Sequence, residues 1–287
     1  MSTSISTSFV RQYEDDVKEE FQRIGTYLLK AVRHKSNVKG SSTTFQRVGT
    51  GTAVTKSRHG TITPMNQSHT APEVTLVDFY AGDFVDKLDE LKINHDERLV
   101  VARGGAMALG RKIDNQIIAI LNTTTESTQS WGIGTSAAVR NSLLLMTEAL
   151  DANDVPNDGF RYGALTPRAW AFAMTVQEFS RSDWVGATGL PFREGAPTDG
   201  RFKDWMNVKW FMHTDLPGIT TSTANIYVWH KNAVAYASGA DITADITWEG
   251  TRAAHWVNHW MSGQAGLIES SGVIEGQVDD GGSIPTA

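Results

Sequence analysis

A basic, Ser/Thr/Gly-rich stretch over residues 36–75 constrains this chain most. Its apolar side chains, such as Phe45, Val54 and Ile62, are sparse, and the pattern predicts two extended strands joined by a turn near residues 57–60. Such strands carry too few apolar side chains to bury a face within their own subunit, and an isolated hairpin is only marginally stable in water. We therefore expect this hairpin to lie on something else.

Charge is distributed unevenly along the chain, whose net charge is −6. Residues 21–72 contain no acidic side chain and eight basic ones, which are Arg23, Lys30, Arg33, Lys35, Lys39, Arg47, Lys56 and Arg58. Residues 73–98 carry eight acidic side chains against three basic ones, a net charge of −5. Adjacent segments of opposite charge indicate a partner, because crowded like charges are tolerated best beside an opposite surface.

The composition is that of a globular protein. The 287 residues, 40% of them hydrophobic, allow one large or two-lobed unit. The absence of cysteine excludes disulfides and thiol nucleophiles and fits a reducing compartment. Residues 1–8 lack the features of a signal peptide, and no stretch approaches the roughly 20 apolar residues of a membrane span, so we expect a soluble protein made in the cytoplasm.

Hydrophobic periodicity predicts helices in the first half of the chain and strands in the second. An amphipathic helix is expected over 8–33 and a long helix over about 96–122, whose internal glycines indicate close approach of a neighbouring backbone. Two more helices are predicted over 137–150 and 168–179, a polar loop over 123–134, and a strand over 161–165. Strands follow over 207–213, 226–230, 233–237, 242–248, 253–261 and 263–275.

The sequence contains no convincing active site. Gly49-Thr-Gly51 lacks the third glycine and the following helix of a dinucleotide loop, and Gly105 to Lys112 lies inside a predicted helix. His255 and His259 have the spacing of a metal pair on a helix, but their segment is predicted as a strand, where side chains four residues apart are about 13 Å apart. We predict no catalytic residue, cofactor or metal, and therefore a protein that is not an enzyme.

Four phrases, in order, resemble the major capsid proteins of tailed bacteriophages. Residues 75–91 look like the junction that follows the family's extended loop, and residues 96–117 resemble its spine helix with the "ALxRKxD" phrase. Residues 153–167 resemble the "xVPxxGRYxxLxP" segment, with 204–217 as its "GFxVxxSxxLP" counterpart. Residues 229–237 resemble the "HKDAVAxA" strand, although the Trp-rich 204–211 stretch departs from the family pattern.

The resemblance implies an α+β fold of the Hong Kong 97 type with recognisable parts. These are an N-terminal arm with the amphipathic helix (1–39), an extended E-loop (40–76), a P-domain with the spine helix (77–134), an A-domain (135–230), return strands (231–275) and a flexible tail (276–287).

The same resemblance implies self-assembly into hexamers and pentamers of an icosahedral head shell around double-stranded DNA. A separate scaffolding protein, a portal and a decoration protein are the further partners, no membrane is involved, and the virion would be assembled in the host cytoplasm. The basic hairpin is expected to cross onto the acidic 73–97 segment of a neighbouring copy. Its candidate contacts are Arg47, Lys56, Arg58, Asp83, Asp86, Asp89 and Glu90. Candidates for a surface that faces DNA are Arg23, Lys30, Arg33 and Lys35.

Two other classes of protein remain open from the sequence. An encapsulin-like nanocompartment would use the same fold to enclose a cargo protein in place of DNA. A cytosolic enzyme with an unrecognised site is the more remote alternative.

Overall fold

Strands outnumber helices in the computed structural model, which describes residues 26–90, 97–131, 136–180 and 203–281. The described residues form two compact units. The smaller unit contains 78–112 and 240–262, and the larger unit contains the remainder from residue 27 onward. Within these ranges, no helix is long and apolar enough to cross a membrane.

The elements follow in chain order. The strands are β1 Arg33–Lys35, β2 Ser42–Thr44, β3 Arg47–Val48, β4 His69–Thr70, β5 Glu73–Thr75, β6 Val77–Asp86, β7 Ser127–Trp131, β8 Arg161–Leu165, β9 Lys203–Trp205, β10 Val208–Met212, β11 Ala224–His230, β12 Val234–Glu249, β13 Ala254–Leu267 and β14 Val273–Val278. The helices are α1 Lys87–Glu90, α2 Glu97–Leu121, α3 Ser136–Ala152, α4 Pro167–Ala173 and α5 Gln177–Ser180.

A mixed six-stranded sheet forms the core of the larger unit, in the order β7-β14-β11-β8-β10-β9. Helices α3 and α4 pack on it and bury a cluster that includes Leu143, Phe172 and Trp210. Gly163 on β8 is needed there, because a Cβ at this position would lie 2.4 Å from the Trp210 ring. Burial of large side chains on one sheet face is the main source of stability in such a layer.

Helix α2 confirms the long helix predicted over 96–122, and its stripe of Leu109, Ile113, Ile117 and Leu121 is buried. A close neighbour was expected at the glycines of this helix, and Gly105 has one. A Cβ at Gly105 would lie 2.4 Å from Nδ1 of His259. The neighbour is therefore a side chain on β13, where a backbone had been expected.

A second sheet has the order β1-β12-β13-β6. Strand β1 pairs with β12 in parallel over only three residues, from Arg33↔Ala235 to Lys35↔Ala237. Each of β12 and β13 joins two strands that the sequence predicted separately. Strand β12 contains the strands predicted over 233–237 and 242–248, and β13 contains the strand predicted over 253–261 and the first part of 263–275. Each strand continues through the intervening residues, 238–241 in β12 and Ser262 in β13, whose polar or small side chains interrupt the apolar pattern without ending the strand.

The predicted helix over 8–33 lies outside the described residues up to residue 25 and is wrong from 26 to 33. Leu28–Ala31 form one 3₁₀ turn and Arg33–Lys35 form β1. The backbone N–H groups of Tyr27 and Leu28 donate to the Asp114 carboxylate at 3.1 Å, and β1 pairs with β12. These distant partners replace the hydrogen bonds that a helix would have made.

Three further expectations are wrong in part. Residues 127–131 of the predicted polar loop form β7, which pairs with β14. The predicted helix over 168–179 is two short helices, α4 and α5. The predicted flexible tail over 276–287 is wrong for 276–281, and 282–287 lie outside the described residues. Val278 is fully buried in β14, and the Asp280 carboxylate accepts hydrogen bonds from Thr166 Oγ1 and, at 2.8 Å, from Thr220 N. Pairing on both sides of β14 holds a segment whose polar composition suggested a loose end.

Candidate assembly surface

The predicted hairpin is present, but strand pairing is confined to its stem. Strand β2 pairs antiparallel with β5, from Ser42↔Thr75 to Thr44↔Glu73, and β3 pairs with β4 at Arg47↔Thr70 and Val48↔His69. A hydrogen bond from Gly49 N to Ser68 O ends this ladder at 2.8 Å. The 18 residues between Gly49 and Ser68, residues 50–67, form an extended loop without strand pairing.

Two apolar side chains anchor the stem to its own subunit. Phe45 and Val74 are buried against Ala235 and Ala237 of β12 and Ile268. The Arg33 guanidinium and the Lys35 ammonium lie 5.6 and 5.7 Å from the Phe45 ring centroid, within the range of cation–π attraction. The stem is therefore fixed by the larger unit, as an isolated hairpin could not be.

The hairpin tip, residues 50–67, is uncovered. Every residue in it is exposed except Gly60, which is half-buried. The turn predicted near 57–60 is confirmed by a 3.1 Å hydrogen bond from Gly60 N to Ser57 O. Val54, Ile62 and Met65 are 56, 75 and 50% exposed. Apolar side chains grouped on one exposed segment mark a surface that another molecule covers.

The three basic candidates of the hairpin fall in different surroundings. Lys56 and Arg58 lie in the tip and are exposed. Arg47 lies in the stem, where its Nε pairs with Glu269 Oε2 of the same chain at 2.5 Å, and 43% of its side chain remains exposed. Arg47 therefore also holds the hairpin to its own subunit, a role that the sequence did not reveal.

The acidic candidates lie on β6 and α1. Asp83 and Asp86 are exposed, and each carboxylate also accepts a backbone N–H nearby, from Phe84 at 2.8 Å and from Leu88 at 2.7 Å. Asp89 and Glu90 belong to α1, but their side chains are outside the described part of the molecule. The first two candidates can therefore meet a basic partner through the remaining carboxylate oxygen.

The candidates for a DNA-facing surface are divided in the same way. Lys30, Arg33 and Lys35 are exposed, whereas Arg23 lies outside the described residues. Lys35 Nζ also donates to Thr43 Oγ1 at 2.5 Å. Two of these cations thus brace the hairpin stem in addition to presenting charge.

The described residues contain no group of three or more His, Asp or Glu side chains that could hold a metal ion. His255 and His259 lie on β13, as the strand prediction required: His255 packs edge-on against Trp248, and the ring of His259 lies 3.2 Å from Ala81 O. Their contacts are those of side chains in a sheet.

A buried carboxylate was missed by the sequence reasoning. Asp114 is fully buried on α2, where it accepts the N–H groups of Tyr27 and Leu28 and lies 3.4 Å from Nε2 of His213. An acidic residue inside the apolar stripe of a predicted helix was the available signal. The arrangement attaches the start of the described chain to the long helix.

Comparison with solved structures finds the same fold in phage capsids. The capsid of cyanophage P-SCSP1u matches with a TM-score of 0.74 at 17% identity, over 98% of this chain and 96% of that one. A Mycobacterium phage Che8 structure matches with a TM-score of 0.71 at 18% identity, over 96% and 98%. A virus-like particle from Pyrococcus furiosus matches less closely, with a TM-score of 0.56 at 10% identity, over 88% and 92%. The Hong Kong 97-type α+β fold that the resemblance implied is confirmed.

The comparison of sequences is more specific. A search of curated proteins found no significant match. A family model described as phage capsid protein matches residues 5–280, nearly the whole chain. With its fold and its exposed hairpin, the chain belongs to this phage capsid protein family and is a major capsid protein that forms the shell of a phage head.

Proposed function

We propose that copies of this chain assemble as hexamers and pentamers into an icosahedral head shell around double-stranded DNA. Each hairpin reaches onto a neighbouring copy, where Lys56 and Arg58, with the exposed part of Arg47, lie near the acidic 73–97 segment. The observation that carries this proposal is the uncovered tip, in which Ile62 is 75% exposed and Lys56 and Arg58 are exposed in the same segment. A segment of this kind is stabilised when a second copy covers it.

The charges set the register of this contact more than its strength. Exposed ion pairs contribute about 0–1 kcal/mol each, because water and salt screen them. The apolar side chains of the tip contribute the larger part, at about 25 cal/mol per Å² of apolar surface removed from water. Repetition over the many copies of a shell makes both contributions matter.

In this proposal the remaining parts of the chain have different roles in the shell. In this proposal the E-loop is 40–76, the P-domain is 77–134 with the return strands, and the A-domain is 135–230. Lys30, Arg33 and Lys35, with Arg23, contact packaged DNA through its phosphates, without sequence preference. A separate scaffolding protein, a portal and a decoration protein complete the particle, which is assembled in the host cytoplasm, and the chain itself catalyses no reaction.

A nanocompartment that encloses protein cargo is the second candidate, because the virus-like particle from Pyrococcus furiosus shares the fold. The family match favours a phage head. Purified particles that contain nuclease-protected DNA support the phage head, and particles that contain one protein cargo and no DNA support the nanocompartment.

Charge reversal in the hairpin tests the contact. The variant Arg47→Glu/Lys56→Glu/Arg58→Glu should lose shells in sedimentation and negative-stain microscopy, while the unassembled subunit stays soluble and folded. Because Arg47 also pairs with Glu269, the double variant Lys56→Glu/Arg58→Glu isolates the tip.

The matched control is Lys209→Glu/Lys231→Glu, which reverses two cations near the Phe160 ring, one on β10 and one directly after β11, and changes net charge as much as the double variant does. This control should assemble. Normal shells from both hairpin variants would contradict the proposed contact.

A further inference from the structure

The ladder of the hairpin stem has a weak point at Pro72. Strands β2 and β5 pair on one side of this point and β3 and β4 pair on the other, in one continuous register. A hydrogen bond from Phe45 N to Pro72 O, at 3.0 Å, joins the two parts. Proline has no N–H group, so the reciprocal bond from residue 72 to Phe45 O cannot form. The stem therefore resists bending less at this point than along its paired strands.

The part of the stem before this weak point is fixed to its own subunit. Val74 of β5 packs so closely on β13 that a Cβ at Gly266 would overlap its side chain. Phe45 and Val74 are buried together beside Ile268. Any bend at Pro72 therefore moves the outer part of the hairpin, which consists of β3, β4 and the tip.

The outer part of the hairpin is tied to the larger unit by an ion pair. The side chains of β3 and β4 are exposed, and a ladder of two residue pairs is too short to be stable alone. Arg47 Nε of β3 lies 2.5 Å from Oε2 of Glu269. Glu269 is itself held, because Ser271 Oγ donates to its other carboxylate oxygen at 3.0 Å and its backbone N–H donates to Ala233 O at 3.1 Å. The ion pair thus joins the movable part of the hairpin to a fixed carboxylate.

We infer that Arg47 and Glu269 position the hairpin tip in the unassembled subunit, so that it has the direction needed for its contact before another copy arrives. This inference rests on the proposed function, and it adds a positioning pair within the subunit to the contact between copies. An exposed ion pair adds little to the stability of a fold, because water and salt screen it. It can still select the direction of the tip, since a ladder that lacks a hydrogen bond opposes bending only weakly. A segment that is ordered beforehand loses less entropy when it binds.

The length of the tip amplifies small changes in the direction of the stem. Arg58, at the turn, follows Arg47 by eleven residues, and extended chain rises about 3.3 Å per residue, so the turn can lie roughly 36 Å from the ion pair. A bend of about 10° at Pro72 would then move the turn by about 6 Å, which exceeds the spacing between neighbouring strands. The direction of the stem therefore decides whether the tip reaches its contact.

Distances between two spin labels test this positioning in the full-length unassembled subunit, which has no cysteine of its own. Thr55→Cys places one label in the tip and Asn232→Cys places the other on the larger unit; both positions are exposed. Double electron–electron resonance measures the width of the distance distribution between the labels. The test variants are Glu269→Gln and the charge swap Arg47→Glu/Glu269→Arg. The matched control is Glu249→Gln, which neutralises the acidic partner of a different exposed ion pair.

The parent protein should show one narrow distribution, and Glu269→Gln should at least double its width. About 1 M NaCl should widen the distribution of the parent protein in the same way, because it screens the ion pair. The charge swap should restore the narrow distribution, and Glu249→Gln should leave it unchanged. In light scattering, shells should form at least three times more slowly from Glu269→Gln than from the control, and the charge swap should recover most of that rate.

An unchanged width in Glu269→Gln, or a widening that the charge swap does not reverse, would overturn the positioning role. The contact between copies would still stand, since Lys56→Glu/Arg58→Glu tests that contact separately. A wider distribution without slower assembly would also overturn the inference, because the direction of the tip would then not matter to the shell. Distances that follow the expectation, together with normal shells from Lys56→Glu/Arg58→Glu, would instead overturn the proposed contact.

Discussion

The six-stranded sheet buries its large apolar side chains within the subunit, whereas the hairpin tip leaves its apolar side chains exposed. Between the sheet and its helices, large apolar side chains such as Phe172 of α4 and Trp210 of β10 are fully buried. In the hairpin tip, Ile62 and Val54 stay in water. This difference indicates that the sheet and its helices stabilise the folded subunit, while the hairpin tip provides apolar and charged surface for contact with another copy. Substitutions in the two regions should therefore separate folding from assembly.

A core truncation gives the largest expected effect on folding. Phe172→Ala should lower the free energy of unfolding by about 3–5 kcal/mol, because it removes buried surface and leaves a cavity. Chemical denaturation of the unassembled subunit measures the loss. Val54→Ala in the tip is the matched truncation, and it should change stability by less than about 0.5 kcal/mol. Equal losses in the two variants would contradict the contrast between the regions.

Replacement of the Asp114 carboxylate is expected to have an intermediate effect on the free energy of unfolding. Asp114→Asn should cost about 1–3 kcal/mol, because an amide accepts less well from the buried N–H groups of Tyr27 and Leu28. Limited proteolysis should also cut faster near residue 26 than in the parent protein. An unchanged cleavage rate would show that this carboxylate does not hold the start of the described chain.

Lys203 on β9 gives the smallest effect, and one of opposite sign. Its side chain is buried, and within the described part of the chain its Nζ has no hydrogen-bond partner, only the Phe179 ring at 5.0 Å. Burial lowers the pKa of this ammonium. Lys203→Met should raise stability by about 1 kcal/mol, since it removes an uncompensated buried charge at nearly constant volume. Thermal unfolding of the subunit measures this change, and a Tm lower than that of the parent protein would contradict the prediction.

Much of this contrast could be predicted from local patterns. The sparse apolar side chains of 36–75 indicated a hairpin that its own subunit does not cover, which holds for the tip but not for the stem, where Phe45 and Val74 are buried. The periodicity of 96–122 indicated α2. Both signals depend on residues that are near in sequence. The phrases around Val155-Pro156 and Ala233-Val234 supplied the family, which residue chemistry alone did not.

The remainder depended on partners distant in sequence. The helix predicted through residue 33 gave way to β1 because Ala235–Ala237 and Asp114 offered its backbone other hydrogen bonds. The 276–281 segment is ordered because β14 lies between β7 and β11. The alternation over 242–248 identified a strand but not that it is exposed, since β1 pairs with β12 only over 235–237.

Amide hydrogen exchange of the hairpin tip tests the central claim most directly. Peptides that cover residues 50–67 should exchange rapidly in the unassembled subunit and at least ten times more slowly in the assembled shell, while peptides from β8 and β11 stay protected in both. Equally rapid exchange of the tip in the subunit and in the shell would contradict the claim that this surface is reserved for another copy.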